Sequence, residues 1–275
     1  MNDHTKTRHS AARAAGVVAL AVVGFLLAGC TPQASTPATS NQSTSELTST
    51  SPVTASASAT PNGIEKLNGS DIVAQTITNA LVAKSVHLTG SFTAPASANT
   101  ATPSPTPAPH SEAVTIDLTG SATKFTATFI VGDRSIEMRR LNNVIYMKTN
   151  QQAALQLGEP RLAQGFVKYG VEDPMVKSWL AFTDAPTMIK NILQADVPGL
   201  TYTTGSVTTS GNVPAIQALI TENNRLAGTL LVATTGKPYP LRLTMADETG
   251  TADFTMTGWA MPPVVTTPAA NEMAP

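Results

Sequence analysis

The distribution of apolar residues predicts an α+β fold whose main element is an antiparallel sheet. Segments in which apolar and polar residues alternate form two runs, and a segment with helical spacing separates them. Parallel crossovers would require regular alternation of strands and helices, which the sequence lacks. We count about eight strands and three or four helices in roughly 200 residues, a size that suits a single domain.

The first helix and the first strand follow each other near the start of the folded part. Folded sequence begins near Ile64, and Ser70 is expected to cap a helix that continues to about Lys84. Alternation then predicts a strand over residues 86–92. Residues 95–110 are rich in Pro, Thr and Ala, so we expect a loop there.

Four further strands are predicted after this loop, with short turns between them. Such closely spaced strands are typical of an antiparallel meander that has one buried and one solvated face. The strands cover residues 114–118, 125–131, 136–139 and 145–148, and the turns lie at Gly120, Gly132-Asp133 and Asn142-Asn143.

Helices and a second run of strands complete the fold. Asp173-Pro174 and Asp184-Ala185-Pro186 each combine a capping carboxylate with a proline, which is typical of a helix start. The elements expected beyond them are a strand over residues 200–207, a short helix over 214–220, and strands over 228–233, 240–246 and 251–259. The sequence after Pro262 is expected to be loose.

The amino terminus has the three regions of a secretory signal. Lys6, Arg8 and Arg13 precede an apolar run of about 13 residues, whereas a membrane-spanning helix needs roughly 20. The run ends in Leu27-Ala28-Gly29-Cys30, which resembles a bacterial lipobox, and Cys30 is the only cysteine of the chain. We therefore expect residues 1–29 to be removed and Cys30 to carry diacylglycerol and palmitate. The alternative is an ordinary signal with a free thiol.

Residues 30–62 are interpreted as a Ser-, Thr- and Pro-rich tether. They contain too little apolar surface to offset the entropy of ordering, so we expect them to be disordered. A flexible chain of this length has a typical reach of about 30 Å. The folded domain would therefore stand away from the membrane that holds its anchor.

The charge of the mature chain excludes some classes of partner. Without residues 1–29 the chain has 14 Lys and Arg against 17 Asp and Glu, a net charge of −3. A protein without a basic surplus has no electrostatic footprint for nucleic acid. Its net charge does not attract it to anionic membranes either, so membrane attachment is assigned to the lipid on Cys30.

Catalytic and metal-binding motifs are not evident in the sequence. Only His87 and His110 remain after removal of the signal, too few for a typical metal site. Asp117, His87 and Ser91 could form a triad in principle, but no Gly-x-Ser-x-Gly motif accompanies them. The acidic and basic residues around Arg134, Arg139 and Arg140 are interpreted as a solvated strand face. We expect no catalysis, no metal and no cofactor.

Methionines occupy inward positions of several predicted strands. Methionine is flexible and polarizable, and it is frequent where a surface adapts to varied apolar partners. The residues therefore indicate either an apolar cavity or a filled core in which methionine plugs gaps. The residues expected to line such a cavity are Phe92, Phe129, Val131, Met138, Met147, Leu180, Ile192, Met245 and Met256.

The order of these elements resembles the LppX/LprAFG lipoproteins and the wider group of actinobacterial lipoproteins with a LolA-like fold. The resemblance covers about residues 64–265 and includes Asn143-Val144-Ile145-Tyr146-Met147-Lys148, Pro238-Tyr239-Pro240-Leu241 and Met256-Thr257-Gly258-Trp259. It implies a half-open antiparallel barrel with helices in its mouth. It also implies a cavity for acyl chains of lipids or lipoglycans, which are carried across the cell envelope.

Two main functions follow as hypotheses. In the first, residues 63–265 form a LolA-like lipid-binding domain, residues 266–275 form a loose tail, and the helices over 173–195 open as a lid. In the second, the chain is a tethered interaction or regulatory module with a filled core. A hydrolase is a third and weaker alternative. We expect a monomer that is anchored to the cell membrane on its extracytoplasmic side.

Overall fold

An antiparallel sheet of eleven strands dominates the computed structural model, which describes residues 60–93, 112–194, 197–247 and 250–275. The strands are β1 (Ser85–Thr93), β2 (Val114–Ser121), β3 (Lys124–Val131), β4 (Arg134–Leu141), β5 (Val144–Thr149), β6 (Val167–Gly170), β7 (Leu200–Ser210), β8 (Val213–Glu222), β9 (Arg225–Ala233), β10 (Pro240–Asp247) and β11 (Gly250–Thr257). Their spatial order is β6-β5-β4-β3-β2-β1-β11-β10-β9-β8-β7. The sheet is curved and unclosed, so the predicted α+β class and half-open barrel are confirmed.

Within the described ranges, four α-helices accompany the sheet. They are α1 (Gly69–Ala83), α2 (Gln151–Leu157), α3 (Pro174–Leu180) and α4 (Ala185–Leu193). Helix α1 packs on β7, β8, β10 and α4, while α4 also reaches β1 and α2 packs on β4 and β5. Alternate side chains of the strands join the buried residues of these helices in one hydrophobic cluster, and we call that side of the sheet its inner face.

The helix starts follow from local capping chemistry. The Asp173 side chain accepts a hydrogen bond from the Met175 amide at the start of α3, and Asp184 caps α4 in the same way. Both helices have proline in their first turn, so these two predicted starts are confirmed. At α1 the cap is Asn68 and not Ser70, because the Asn68 side chain accepts the Asp71 amide at 2.9 Å.

Two glycines let neighbouring strands approach closely on the inner face. Gly90 on β1 has φ 155°, and a Cβ there would lie 2.0 Å from the carbonyl oxygen of Asp253. Gly120 has φ 141°, and a Cβ there would lie 2.3 Å from the Lys124 carbonyl oxygen. Glycines of this kind permit the strong bending that curves a sheet. Gly120 lies within β2. The turn that the sequence predicts at Gly120 occurs two residues later.

Other elements differ from the prediction. Residues 214–220 were expected to be helical, but they belong to β8, which pairs with both β7 and β9. Residues 151–170 contain α2 and β6, which the sequence pattern did not predict. The described residues therefore form eleven strands and not about eight. The predicted loop over 95–110 lies outside the described residues.

The carboxyl-terminal residues dock on the sheet, whereas the sequence predicted a loose tail. The Phe166 amide donates to the Glu272 carbonyl at 2.8 Å, and the Ala274 amide donates to the Phe166 carbonyl at 2.9 Å. The Arg139 guanidinium contacts the Glu272 carboxylate at 3.2 Å and covers the Phe166 ring at 4.4 Å. Backbone pairing, an ion pair and a buried ring together hold the tail in place.

Candidate functional site

The inner face of the sheet and the helices that cover it form the candidate site. All nine residues expected to line a cavity belong to, or pack against, the one hydrophobic cluster in this region. Those without solvent exposure are Phe129, Met138, Met147 and Met256, and those with partial exposure are Phe92, Val131, Leu180, Ile192 and Met245. The structure thus brings the set together. That its members line an acyl-chain cavity stays a prediction.

Strand register aligns several of the methionines in one row. Met147 on β5 lies opposite Met138 on β4, and the row continues across β3 and β2 to Leu88 on β1. Leu88 is in turn opposite Met256 on β11. Because the sheet is antiparallel and in register, these side chains lie on one face and form a continuous apolar floor.

Aromatic pairs connect the helical segment to this floor. The Trp179 ring on α3 lies 5.1 Å from the Phe129 ring, measured between centroids, and Phe182 stacks on Phe92 at 5.4 Å. Phe92 also contacts Phe254 at 6.1 Å. Such pairs contribute about 0.5–1.5 kcal/mol each beyond the area they bury. They hold the segment from α3 to α4 closed over the sheet.

Two open depressions lie elsewhere on the surface. One, of about 270 Å³, is lined by residues at the ends of β4 and β5, including Glu137, Lys148 and Asn150. The other, of about 330 Å³, lies between α2 and the turn at residues 160–163. Neither is lined by any of the nine predicted residues. Those residues are packed against one another in this structure.

Polar groups interrupt the inner face at the last row of β4 to β6. Arg140 and Tyr169 both lie opposite Ile145, so their Cα atoms are about 10 Å apart on the same face. The Arg140 Nε donates to the Asn142 carbonyl at 2.8 Å. The Tyr169 hydroxyl is buried and makes no hydrogen bond within the described part of the chain.

Arg140 and Tyr169 are both partly buried, and this burial shifts their pKa values. Burial lowers the pKa of Arg140, and the negative charge of Asp184 works in the opposite direction. Burial raises the pKa of the Tyr169 hydroxyl, and the carboxylate of Glu159 adds to the effect. A cation and an unpaired hydroxyl beside an apolar interior can together bind a polar group.

The sequence interpretation missed this pair. It assigned Arg140 to a solvated face together with Arg139, but the two side chains point to opposite sides of β4, and only Arg139 lies on the outer face. Strand alternation from Met138 would have placed Arg140 inward. Tyr169 lies in β6, a strand of four residues, which is too short to show an alternating pattern that can be interpreted.

The residues considered for catalysis are on the outer face. The His87 Nε2 and Asp117 Oδ1 atoms are 3.0 Å apart, and both side chains are solvent-exposed. Ser91 is four positions along β1, about 13 Å from His87, and lies opposite Thr115 and Asp253. The structure therefore does not assemble this triad. Among the described residues, no group of three or more His, Cys, Asp or Glu could hold a metal ion.

The fold and the site define a half-open antiparallel barrel with helices over an apolar inner face. Among solved structures it is similar to the LprF protein of Mycobacterium bovis, with 13% identity, coverage of 74% of this chain and 97% of that one, and a TM-score of 0.40. It is similar to the lipoprotein LppX of Mycobacterium tuberculosis, with 12% identity, coverage of 72% and 99%, and a TM-score of 0.41. These are the lipoproteins that the sequence resembles.

A more distant similarity is to a LolA superfamily protein from Nitrosomonas europaea. Identity is 6%, coverage is 70% of this chain and 92% of that one, and the TM-score is 0.26. No protein-family model and no curated protein matches the sequence. Within the described residues, no helix has the length and apolar character needed to cross a membrane.

Proposed function

We propose that this protein is an exported lipoprotein, anchored in the cell membrane by acylated Cys30, that binds acyl chains of a lipid or lipoglycan and carries them across the cell envelope. The anchor is supported by the lipobox-like sequence that ends at the only cysteine of the chain. The ligand site is the interface between the inner face of the sheet and the helices α3 and α4. The protein acts as a monomer, without catalysis or a cofactor.

The observation that carries this proposal is the incomplete burial of the apolar cover over the sheet. Floor residues such as Met138, Met147 and Met256 are fully buried. In the helical segment over them Val176, Ile189 and Leu193 are also buried, but six other apolar side chains are only partly buried. The partly buried side chains are Met175, Trp179, Leu180, Phe182, Met188 and Ile192. Helices α3 and α4 have seven and nine residues. Helices this short have little intrinsic stability and depend on tertiary packing.

The helical segment α3–α4 can open at little cost when a ligand is present, because the ligand replaces the apolar contacts that opening removes. An acyl chain that enters between α3–α4 and the methionine row replaces the contacts that the helices lose. Burial of each methylene contributes about 0.8 kcal/mol, so a chain of ordinary length supplies more than the aromatic pairs contribute. Methionine side chains can adapt their rotamers to the ligand without a rigid preformed pocket.

In the same proposal, the polar head group of the ligand lies beside Arg140 and Tyr169. These two groups lie at the edge of the inner face, and the Tyr169 hydroxyl makes no hydrogen bond within the described residues. An anionic or hydroxylated head group would pair with both. Replacement of Arg140 by Gln should then reduce the share of anionic lipids in the bound material without loss of acyl-chain binding.

The alternative is a tethered interaction or regulatory module with a filled core. It is favoured by one observation, namely that the predicted lining residues pack against one another and line neither surface depression. Native mass spectrometry of protein purified from its host membrane distinguishes the two functions. Lipid in stoichiometric amount that survives removal of detergent is expected for a carrier, and bare protein would contradict the proposal.

Substitution by tryptophan provides a second test. In a carrier, Met147→Trp should fill space that lipid otherwise occupies, so that the protein stays folded and retains less lipid. The matched control is Leu230→Trp, because Leu230 is equally buried on β9 but was not expected to line the site. Overpacking at Leu230 should destabilise the fold by about 1–3 kcal/mol. Equal destabilisation by both substitutions would indicate a filled core.

A further inference from the structure

The described chain begins at one end of the sheet. Pro61 forms a bridge with Thr235, the Asn62 amide donates to the Thr234 carbonyl at 2.8 Å, and the Asn62 side chain donates to the Ala233 carbonyl at 2.9 Å. The described chain therefore enters the domain beside the end of β9. We call this the tether end of the sheet, defined as the start of β1, the end of β9, the start of β10 and the end of β11.

Three strongly exposed aliphatic side chains belong to segments next to the tether end. The exposed fractions are 64% for Val82 near the end of α1, 65% for Met261 and 88% for Val264. Met261 is held at the start of β1, because the Ser85 hydroxyl donates to its carbonyl at 2.8 Å and the Ala260 amide donates to the Ser85 carbonyl at 3.0 Å. Grouped apolar exposure of this kind marks an interaction surface.

Aromatic and basic side chains flank these aliphatic residues. Trp259 stacks on Tyr239 with ring centroids 5.2 Å apart, and its indole N–H donates to the Pro240 carbonyl at 2.7 Å. Lys84 follows α1 and Lys237 lies in the turn after β9, and both are exposed. Tryptophan, tyrosine and lysine beside aliphatic groups are the composition that suits the interface of a bilayer, where the apolar region meets phosphate groups.

We propose that the tether end docks on the surface of the lipid bilayer, with Val82, Met261 and Val264 in the interfacial region and Lys84 and Lys237 at the phosphates. The proposal rests on the lipid anchor at Cys30 proposed above. The position at which the tether joins the domain selects a bilayer over another protein as the occupant, because the anchored chain reaches the domain at this end. A tether of about 30 Å reach lets the domain stand away from the membrane but confines it to that distance, so a few weak contacts are sufficient to bring the face onto the bilayer.

Docking at this end has a consequence for the ligand site. Arg140 is near the end of β4, and the register of β1 to β4 places the end of β4 at the same end of the sheet as the start of β1. The polar row of the inner face would then lie close to the membrane surface. A lipid could enter the site without crossing water.

The test measures Trp259 fluorescence in the complete mature protein, purified from its host with its acyl groups and reconstituted into vesicles of phosphatidylcholine and phosphatidylglycerol. Trp179→Phe makes Trp259 the only tryptophan of the chain. In vesicles whose acyl chains carry bromine, the Trp259 emission should be quenched relative to unbrominated vesicles. Val82→Ser combined with Met261→Ser should restore the emission, because these substitutions remove the apolar contacts that hold the face in the interface.

Matched controls and a second measurement make the outcome decisive. Leu155→Ser combined with Leu226→Ser removes side chains of 66% and 64% exposure elsewhere on the surface and should leave the quenching unchanged. Circular dichroism confirms that each variant is folded. Unquenched Trp259 in protein that sediments with the vesicles would overturn the docking face and leave the anchor intact. Protein that neither sediments nor shows quenching would overturn both, and quenching that the control pair abolishes equally would also overturn the face.

Discussion

Substitution of Gly90 by alanine should destabilise the domain strongly, because the curvature of the sheet depends on the close approach at this position. The new Cβ would lie 2.0 Å from the Asp253 carbonyl oxygen, and a φ of 155° is unfavourable for a residue with a side chain. Overpacking costs about 1–3 kcal/mol and backbone strain a similar amount, so a loss of about 3 kcal/mol is expected. For a domain of this size it corresponds to a decrease in Tm of about 6–12 °C.

Thermal unfolding followed by circular dichroism measures this effect, and the chain offers a matched control. Gly170 ends β6, and a Cβ there would meet no heavy atom within 4 Å. Gly170→Ala should therefore change the free energy of unfolding by no more than about 0.5 kcal/mol. If the Tm of the Gly90→Ala variant lies within about 2 °C of the Tm of the Gly170→Ala variant, the curvature of the sheet does not depend on the close approach at Gly90.

Three further outcomes are expected. Asn68→Ala removes the cap that accepts the Asp71 amide and should cost about 1 kcal/mol in urea unfolding, and an unchanged midpoint would contradict the assigned cap. The hydrogen bond from the Ala269 amide and then the charge of Arg139 lower the pKa of Glu272, so docking of the tail should persist above about pH 4 and weaken as the pH falls through the lowered pKa. Hydrogen-exchange protection of the tail should show this loss, and Glu272→Gln should remove its pH dependence. Met147→Trp should leave unfolding nearly unchanged in a carrier and lower its lipid content in native mass spectrometry.

Elements defined by local chemistry were predictable from the sequence. The aspartate and proline at the starts of α3 and α4 determine where these helices begin, whatever they pack against. The meander from β2 to β5 was equally clear, because apolar alternation and short turns recur together over residues 114–149. In these segments the local pattern and the tertiary structure agree.

Elements defined by distant partners were not predictable. The sequence of β8 contains alanine, glutamine and leucine, which favour helix, but pairing on both sides with β7 and β9 overrides that preference. Pro214 is tolerated because it lies near the start of the strand. The docked tail depends on Phe166 and Glu272, whose contact no local pattern could indicate. For the site, alternation identified the buried floor, but the contacts of the helical cover required the structure.

The strand order has a mechanical consequence for the half-open barrel. Its two free margins are β6 and β7, which lie farthest apart in the sheet and yet follow each other along the chain. The segment that joins them, residues 171–199, contains α3 and α4. This segment therefore links the two edge strands directly. The barrel can widen only as far as this connection can extend. Its length sets how far the two margins can separate, so shortening or lengthening it would change the aperture without any change to the sheet itself.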